Sequence, residues 1–184
     1  MGAREDLVEE LREHALVLGE FTLTSGRTST YLIDAKRAIL RPAGFRALAE
    51  LVAAEVRERG AAAVGGMTMG ADPIACAALA GGADADAFFV RKERKEHGLA
   101  RWVEGPELAP GTRCLIVEDV VTSGGSTIRA IERVREEGLD VCGVLAILDR
   151  LAGGADAIRD AAGPDAPYTA LTTIDDVYPE RPDR

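Results

Sequence analysis

The run from Cys114 to Thr127 reads CLIVEDVVTSGGST. Its first four residues are apolar without alternation, the pattern of a strand covered by helices on both faces. Two adjacent carboxylates, Glu118 and Asp119, stand at the end of that strand. After Val120 and Val121 come the hydroxyls of Thr122, Ser123 and Ser126, with Gly124 and Gly125 between them. An amphipathic helix follows, with Ile128, Ile131 and Val134 on its apolar stripe and Gly138 at its end. Strand, turn and helix in this order predict a parallel α/β sheet, a class that binds ligands beyond the C-terminal ends of its strands.

The turn has the chemistry of a phosphate cradle. A helix start carries unpaired N–H groups and the positive end of the helix dipole, and glycine lets the backbone approach an anion closely. Neither the Gly-Lys-Ser/Thr of a P-loop nor the dinucleotide pattern GxGxxG is present. The carboxylates would repel a phosphate, so Glu118 and Asp119 suit neutral hydroxyls, and a ribose 5-phosphate satisfies both halves of the motif.

The same strand and helix alternation extends outward. Ala62 to Gly66, Ala87 to Val90 and Val141 to Leu148 are further apolar strand candidates. Asp72-Pro73 opens a small-residue helix that runs to Gly81-Gly82, and Pro42 opens another, with Phe45, Leu48, Val52 and Val56 inward and Gly60 at its end. Leu7, Leu11, Ala15 and Leu18 predict a first helix stopping at Gly19, and Phe21 to Asp34 predicts a hairpin turning at Ser25-Gly26-Arg27. Trp102 and Val103 to Pro106 read as the closing arm of a second hairpin. Ala152 to Ala155 and the Pro-rich last residues read as surface connection and tail, and His14 as structural.

Two further constellations border the predicted sheet edge. Arg91 to Gly98, RKERKEHG, holds Lys92 and Lys95, two of only three lysines, and His97, one of two histidines. Such a cationic run ended by glycine suits a lid over a polyphosphate. Asp149-Arg150 ends the last predicted strand, and Arg150 offers a planar fork for a carboxylate or ring edge.

Composition narrows the partners. With 184 residues, 47% of them hydrophobic, the chain is long enough for one domain whose core needs neither metal nor disulfide. Lys and Arg number 22 against 31 Asp and Glu, a net charge of −9 that repels nucleic acid and anionic lipid. Cys76, Cys114 and Cys142 show no CxxC spacing and predict reduced core thiols. No apolar run approaches the roughly 18 residues of a membrane span, and the charged start Met-Gly-Ala-Arg-Glu-Asp is unlike a signal peptide, so the expected location is the cytoplasm.

VEDVVTSGGS closely resembles the phosphoribosyl pyrophosphate (PRPP) motif of type I phosphoribosyltransferases. Together with RKERKEHG and FTLTSGRTSTYLID it resembles the orotate phosphoribosyltransferases, over nearly the whole chain to Arg150. The resemblance implies the type I phosphoribosyltransferase fold as one domain over 1–184: a mostly parallel sheet flanked by helices, a small N-terminal hood over 1–40, and a lid loop and hairpin over 91–105. It implies Mg²⁺-dependent transfer of a 5-phosphoribosyl group from PRPP to N1 of orotate, in a homodimer. Glu118 and Asp119 would hold the ribose hydroxyls, and Val120, Val121, Thr122, Ser123, Gly124, Gly125 and Ser126 the 5′-phosphate. Arg91, Lys95 and His97 would contact pyrophosphate, Lys92 would reach the partner's site, and Thr122 and Arg150 match orotate-contacting positions. Lys95, Arg91, His97 and Asp119 are thus the catalytic candidates, with the metal held mainly by PRPP and water rather than by side chains. Thr24 and Met69-Gly70 depart from the family, many members of which carry Lys and a Tyr-Lys pair there. Another nucleobase, or PRPP binding by a regulator without turnover, remain the alternatives.

Overall fold

A computed structural model describes residues 2–22, 28–94 and 101–184. Helix α1 (Ala3–Glu10) continues through a π-helical turn, Leu11–Ala15, into β1 (Leu16–Thr22), which pairs antiparallel with β2 (Thr28–Ile33). The short α2 (Lys36–Ile39) and the long α3 (Pro42–Arg59) follow. Then come β3 (Ala63–Met67), α4 (Asp72–Ala80), β4 (Asp86–Val90), β5 (Val103–Glu104), β6 (Arg113–Val121) and α5 (Gly125–Glu136). The chain closes with β7 (Asp140–Asp149), α6 (Gly154–Ala162), β8 (Tyr168–Thr173) and α7 (Ile174–Val177).

The main sheet has the order β5-β4-β3-β6-β7-β8, with only the β4–β5 pair antiparallel. From β3 the chain first adds β4 on one side and later β6 on the other. Strand order therefore reverses between β3 and β6, and the crevice at their C-terminal ends is where a doubly wound sheet places a ligand. The segments leaving that crevice are Thr68 to Ala71 and Thr122 to Gly124.

Strand periodicity divides the core in two. Leu115 and Val117 of β6 join Val64, Leu145 and Ile147 against α1, α3 and α4. Cys114 and Ile116 join Phe88, Val144 and Ala146 against Ile131 and Val134 of α5 and Ile158 of α6. Alternation carried one step further sends Glu118 to the α5 face and Asp119 to the opposite one.

Four expectations are corrected. The first helix ends at Ala15, not Gly19: Leu16, Val17 and Leu18 pair with Ile33, Leu32 and Tyr31, and Leu18 is 66% exposed. Ladder pairing with β2 wins there over helical periodicity. Cys76 is exposed, because Ile74, Ala75, Ala77 and Ala78 already form the buried stripe of α4; Cys114 and Cys142 are buried, and all three thiols are free. Ala152 to Ala155 is not mere connection, since Gly154 is buried and opens α6. The strand before Arg150 is not the last: β8 adds to β7 in parallel, Thr172 being buried with its hydroxyl on the Ile147 carbonyl at 2.7 Å. No helix among the described residues is long and apolar enough to cross a membrane.

Candidate active site

At the centre of the crevice, β6 delivers its two carboxylates to different surroundings. Glu118 is 4% exposed and accepts hydrogen bonds from Ser126 Oγ at 2.6 Å and Thr127 Oγ1 at 2.9 Å, both in the first turn of α5. Burial pushes its pKa up to about 7; the Ser126 hydroxyl opposes that rise, while the charge of Asp119 reinforces it. Asp119 faces the other side of the sheet. Its Oδ2 receives the Lys36 ammonium at 3.1 Å, and its Oδ1 accepts the Val120 N–H at 2.8 Å. Lys36 also pairs with Asp34 at 2.9 Å. Burial disfavours the ammonium, but the two carboxylates outweigh it and hold the Lys36 pKa above its ordinary value.

The cradle forms beside this pair. Gly124 precedes α5 with φ +79°, a left-handed conformation that costs other residues about 1–2 kcal/mol. A Cβ there would also meet the Gly154 carbonyl at 2.9 Å and Ile158 at 2.9 Å. Gly124 supplies no side-chain cap to the first N–H groups of α5, and the Arg129 guanidinium and the Ser123 hydroxyl lie beside Gly125. Thr122 and Ser123 are exposed there, and Val121 is buried beneath them.

The base of the predicted lid is gripped by α5. Arg133 donates to the backbone carbonyls of Arg91 at 2.7 Å and Lys92 at 2.9 Å, and its guanidinium lies 4.1 Å from the Trp102 ring centre. Trp102 Nε1 donates to Glu136 at 2.7 Å, and its backbone N–H to Glu137 at 2.7 Å. The hairpin closes as expected: Arg91 N–H bonds the Trp102 carbonyl at 2.9 Å, and β4 pairs with β5. Arg91 pairs with Glu104 at 3.2 Å and, with Thr68 and exposed Lys92, lines a cavity of about 430 Å³. Lys95, His97 and Thr24 lie outside the described residues. Met69 is 71% exposed on the facing loop.

A second cavity, of about 340 Å³, opens on the other side of the cradle. Thr28 to Tyr31 of β2, Thr122, Arg150 and Asp183 line it, so two predicted residues, Thr122 and Arg150, meet across 28 positions of sequence. Arg150 Nη2 donates to Tyr31 Oη at 2.8 Å, and the Tyr31 hydroxyl in turn donates to the Asp183 carboxylate at 3.0 Å. Arg150 Nε is buried and unbonded among the described residues, a donor still open to an acceptor. Asp149 is structural: it is buried, accepting from Tyr168 Oη at 2.9 Å and the Leu151 N–H at 2.7 Å. His14 sits away from the crevice, 3.8 Å from Glu10 and 3.7 Å from Glu13.

Sequence reasoning missed Lys36, Tyr31, Arg133 and Asp183. Lys36 had a signal, as the third lysine of a chain that otherwise uses arginine. The other three had none, because the contacts that define them join distant segments. Among the described residues no group of three or more His, Cys, Asp or Glu side chains converges as a metal cage.

Residues 37–162 match the family model described as the phosphoribosyl transferase domain. An orotate phosphoribosyltransferase of Rhodopirellula baltica is 48% identical over 180 residues, 92% of this chain and 91% of that protein. One from Corynebacterium glutamicum is 43% identical, covering 95% of this chain and 94% of the other. In structure, the orotate phosphoribosyltransferase of Mycobacterium tuberculosis H37Rv in complex with Fe(III) dicitrate aligns with a TM-score of 0.83 at 37% identity, over 96% of this chain and 99% of that one. The same enzyme in complex with PRPP aligns at 0.76 and 31% identity, over 95% and 91%.

Proposed function

This chain belongs to the orotate phosphoribosyltransferase family, and from that premise we propose that it transfers the 5-phosphoribosyl group of PRPP to N1 of orotate. The C1′–O bond to diphosphate breaks and a C1′–N1 bond forms, giving orotidine 5′-monophosphate and pyrophosphate for pyrimidine synthesis. The observation that carries the reading is the juxtaposition at one crevice of an uncapped helix start, a partly buried carboxylate at Asp119 and an open guanidinium at Arg150.

Each part has a task. Val120 to Ser126 receive the 5′-phosphate on the N–H groups and dipole of α5. Asp119 and Glu118 hold the ribose hydroxyls, Glu118 in part through its hold on the helix start that bears Ser126. Arg150 and Thr122 receive the planar, anionic base, with Arg150 Nε as the donor that a carboxylate would satisfy. As the C1′–O bond lengthens, negative charge gathers on the leaving diphosphate. Arg91, Lys95 and His97 stabilise it, and preorganised cations of this kind are usually the largest catalytic contribution. Lys92, exposed at the lid base, reaches the site of a second copy in a homodimer. A closed lid keeps water from capturing the cationic ribose. Orotate's ring nitrogen can arrive deprotonated, its proton given up to solvent before the C1′–N1 bond forms, and the reading then requires no general base.

The donor set fits Mg²⁺ carried by the substrate. Asp119 is engaged by Lys36 and Glu118 by two hydroxyls, whereas Mg²⁺ favours phosphate oxygens and water. When bound, it neutralises charge on the diphosphate. The family's chemistry and the chain's reduced thiols support a cytoplasmic location.

The test is the loss of orotate absorbance when protein, Mg²⁺ and PRPP are mixed, with uracil, hypoxanthine and adenine in parallel. PRPP-dependent loss of orotate alone is expected. Consumption of another base reassigns the specificity, and PRPP binding without turnover identifies a regulator. Lys95→Ala should lower kcat by ~10²–10³, and near-normal turnover would remove Lys95 from the chemistry.

A further inference from the structure

Lys36 is set apart in sequence from Lys92 and Lys95 and stands on α2, against the Asp119 carboxylate at the crevice. Its ammonium bridges Asp34 at 2.9 Å and Asp119 at 3.1 Å. Asp119 is confined on its other sides. Its Oδ1 takes the Val120 N–H, and a Cβ at Gly70 would stand 2.6 Å from that oxygen, so the carboxylate lies directly against the loop after β3. That loop, Thr68-Met-Gly-Ala71, contributes no cation of its own. A ligand carrying several phosphates would therefore meet the charges of Asp34 and Asp119 with Lys36 as their immediate counterion.

We propose that Lys36 is a positioning residue for PRPP: it fixes the Asp119 carboxylate toward the ribose and offsets part of its charge against the incoming phosphates. This rests on the functional reading above. Two duties conflict at Asp119. It must be ionised to accept strong hydrogen bonds from ribose hydroxyls, yet an uncompensated anion at that place repels the diphosphate end of the same substrate. An ammonium on Oδ2 eases both, holding the carboxylate in place and offsetting part of its charge, since the same ammonium also serves Asp34. Lys36 lies on α2, which follows β2 after only Asp34 and Ala35, so the hairpin that lines the base cavity also carries the ribose counterion.

The alternative is a pin that merely fastens α2 to the sheet. Steady-state constants and melting temperatures of wild type, Lys36→Met, Lys36→Gln, Lys36→Arg, Asp119→Asn and Lys36→Met/Asp119→Asn separate the two. Lys36→Gln keeps a hydrogen-bond donor without charge, and guards against a Met variant that fails to fold. With Met or Gln the KM for PRPP should rise ~10-fold or more while that for orotate stays within about twofold, the signature of binding lost at one substrate. Arg should restore it to within about threefold. Because Lys36 acts through Asp119, the double variant should match Asp119→Asn alone rather than multiply the two losses. A PRPP KM within about twofold of wild type in Lys36→Gln overturns the proposal, as do multiplying losses or an equal shift for orotate. Those results leave the functional reading intact; a wild type that neither binds PRPP nor consumes orotate overturns both.

Discussion

The two ends of the crevice are built in opposite ways. The end proposed for the phosphate is a single stretch, Glu118 to Thr127, in which strand, turn and helix start are contiguous and every polar group is a near neighbour in sequence. The end proposed for the base is assembled from β2, the turn after β6, the end of β7 and the closing residues, with Arg150 and Tyr31 119 positions apart and Tyr31 and Asp183 152 apart. A contiguous site is fixed by local backbone geometry. A convergent one exists only once the sheet has formed and the hairpin has docked on it.

Disabling the phosphate end alone should give the largest effect. Gly124→Val places a β-branched residue at φ +79° and its Cβ against the Gly154 carbonyl and Ile158, so the turn must rearrange. We expect kcat/KM for PRPP to fall by ~10²–10³, comparable to loss of a preorganised donor. Stopped assays with PRPP varied check this, and a loss below about fivefold would mean that the phosphate does not rest on this turn.

The buried carboxylate beneath that turn gives the next effect, in stability. Glu118 has a folded pKa of about 7 against 4.5 for the free side chain, so between those values the folded protein binds more protons than the unfolded one. Its contribution is complete below about pH 4.5 and is lost as pH rises through about 7, at most about 3–4 kcal/mol from ~1.4 kcal/mol per pKa unit. Glu118→Gln retains an acceptor for Ser126 and Thr127 but does not titrate. Urea unfolding at pH 5 and pH 8 should show a smaller pH-dependent difference in the variant than in wild type, and equal differences would place the Glu118 proton elsewhere.

What could be read from sequence follows the same division. The parallel sheet, the glycine turn before α5 and the strand ends were legible because apolar runs and glycine turns are local signals. Even there parity mattered: Glu118 and Asp119 are adjacent in sequence, yet one faces α5 and the other Lys36. Tyr31 looked like one more residue of an alternating hairpin, and nothing near it announced Arg150. β8 was hidden because its residues, Tyr168 to Thr173, form a strand only along the edge offered by β7. Leu18 misled for the converse reason, continuing a helical stripe that strand pairing interrupts.

Arg150→Ala tests the base end in isolation. A charged hydrogen bond to a ligand contributes roughly 1.5–3 kcal/mol, so the KM for orotate should rise ~10–100-fold while that for PRPP stays near wild type. Equal changes in both constants would show that the two ends are not separable. Arg150→Lys should recover little, since a point charge does not reproduce the fork that also spans Tyr31.

The smallest effect should come from Asp183, and in the opposite direction. Its carboxylate accepts from the Tyr31 hydroxyl and stands 3.9 Å from Arg150 Nη2, held there by Arg181, whose guanidinium pairs with both Asp175 and Asp183. The chain thus presents an anion of its own at the cation that an anionic base would use. The Asp183 side chain is 56% exposed, so solvent screens the pair and the competition is weak. Asp183→Asn should lower the KM for orotate by about two- to fourfold at low ionic strength and by less at high salt, with no change for PRPP. Uracil, which lacks the carboxylate, should show no such gain as a competing ligand. A higher KM in Asp183→Asn would reverse the assignment, making Asp183 a support for Tyr31 and Arg150 rather than a rival of the substrate.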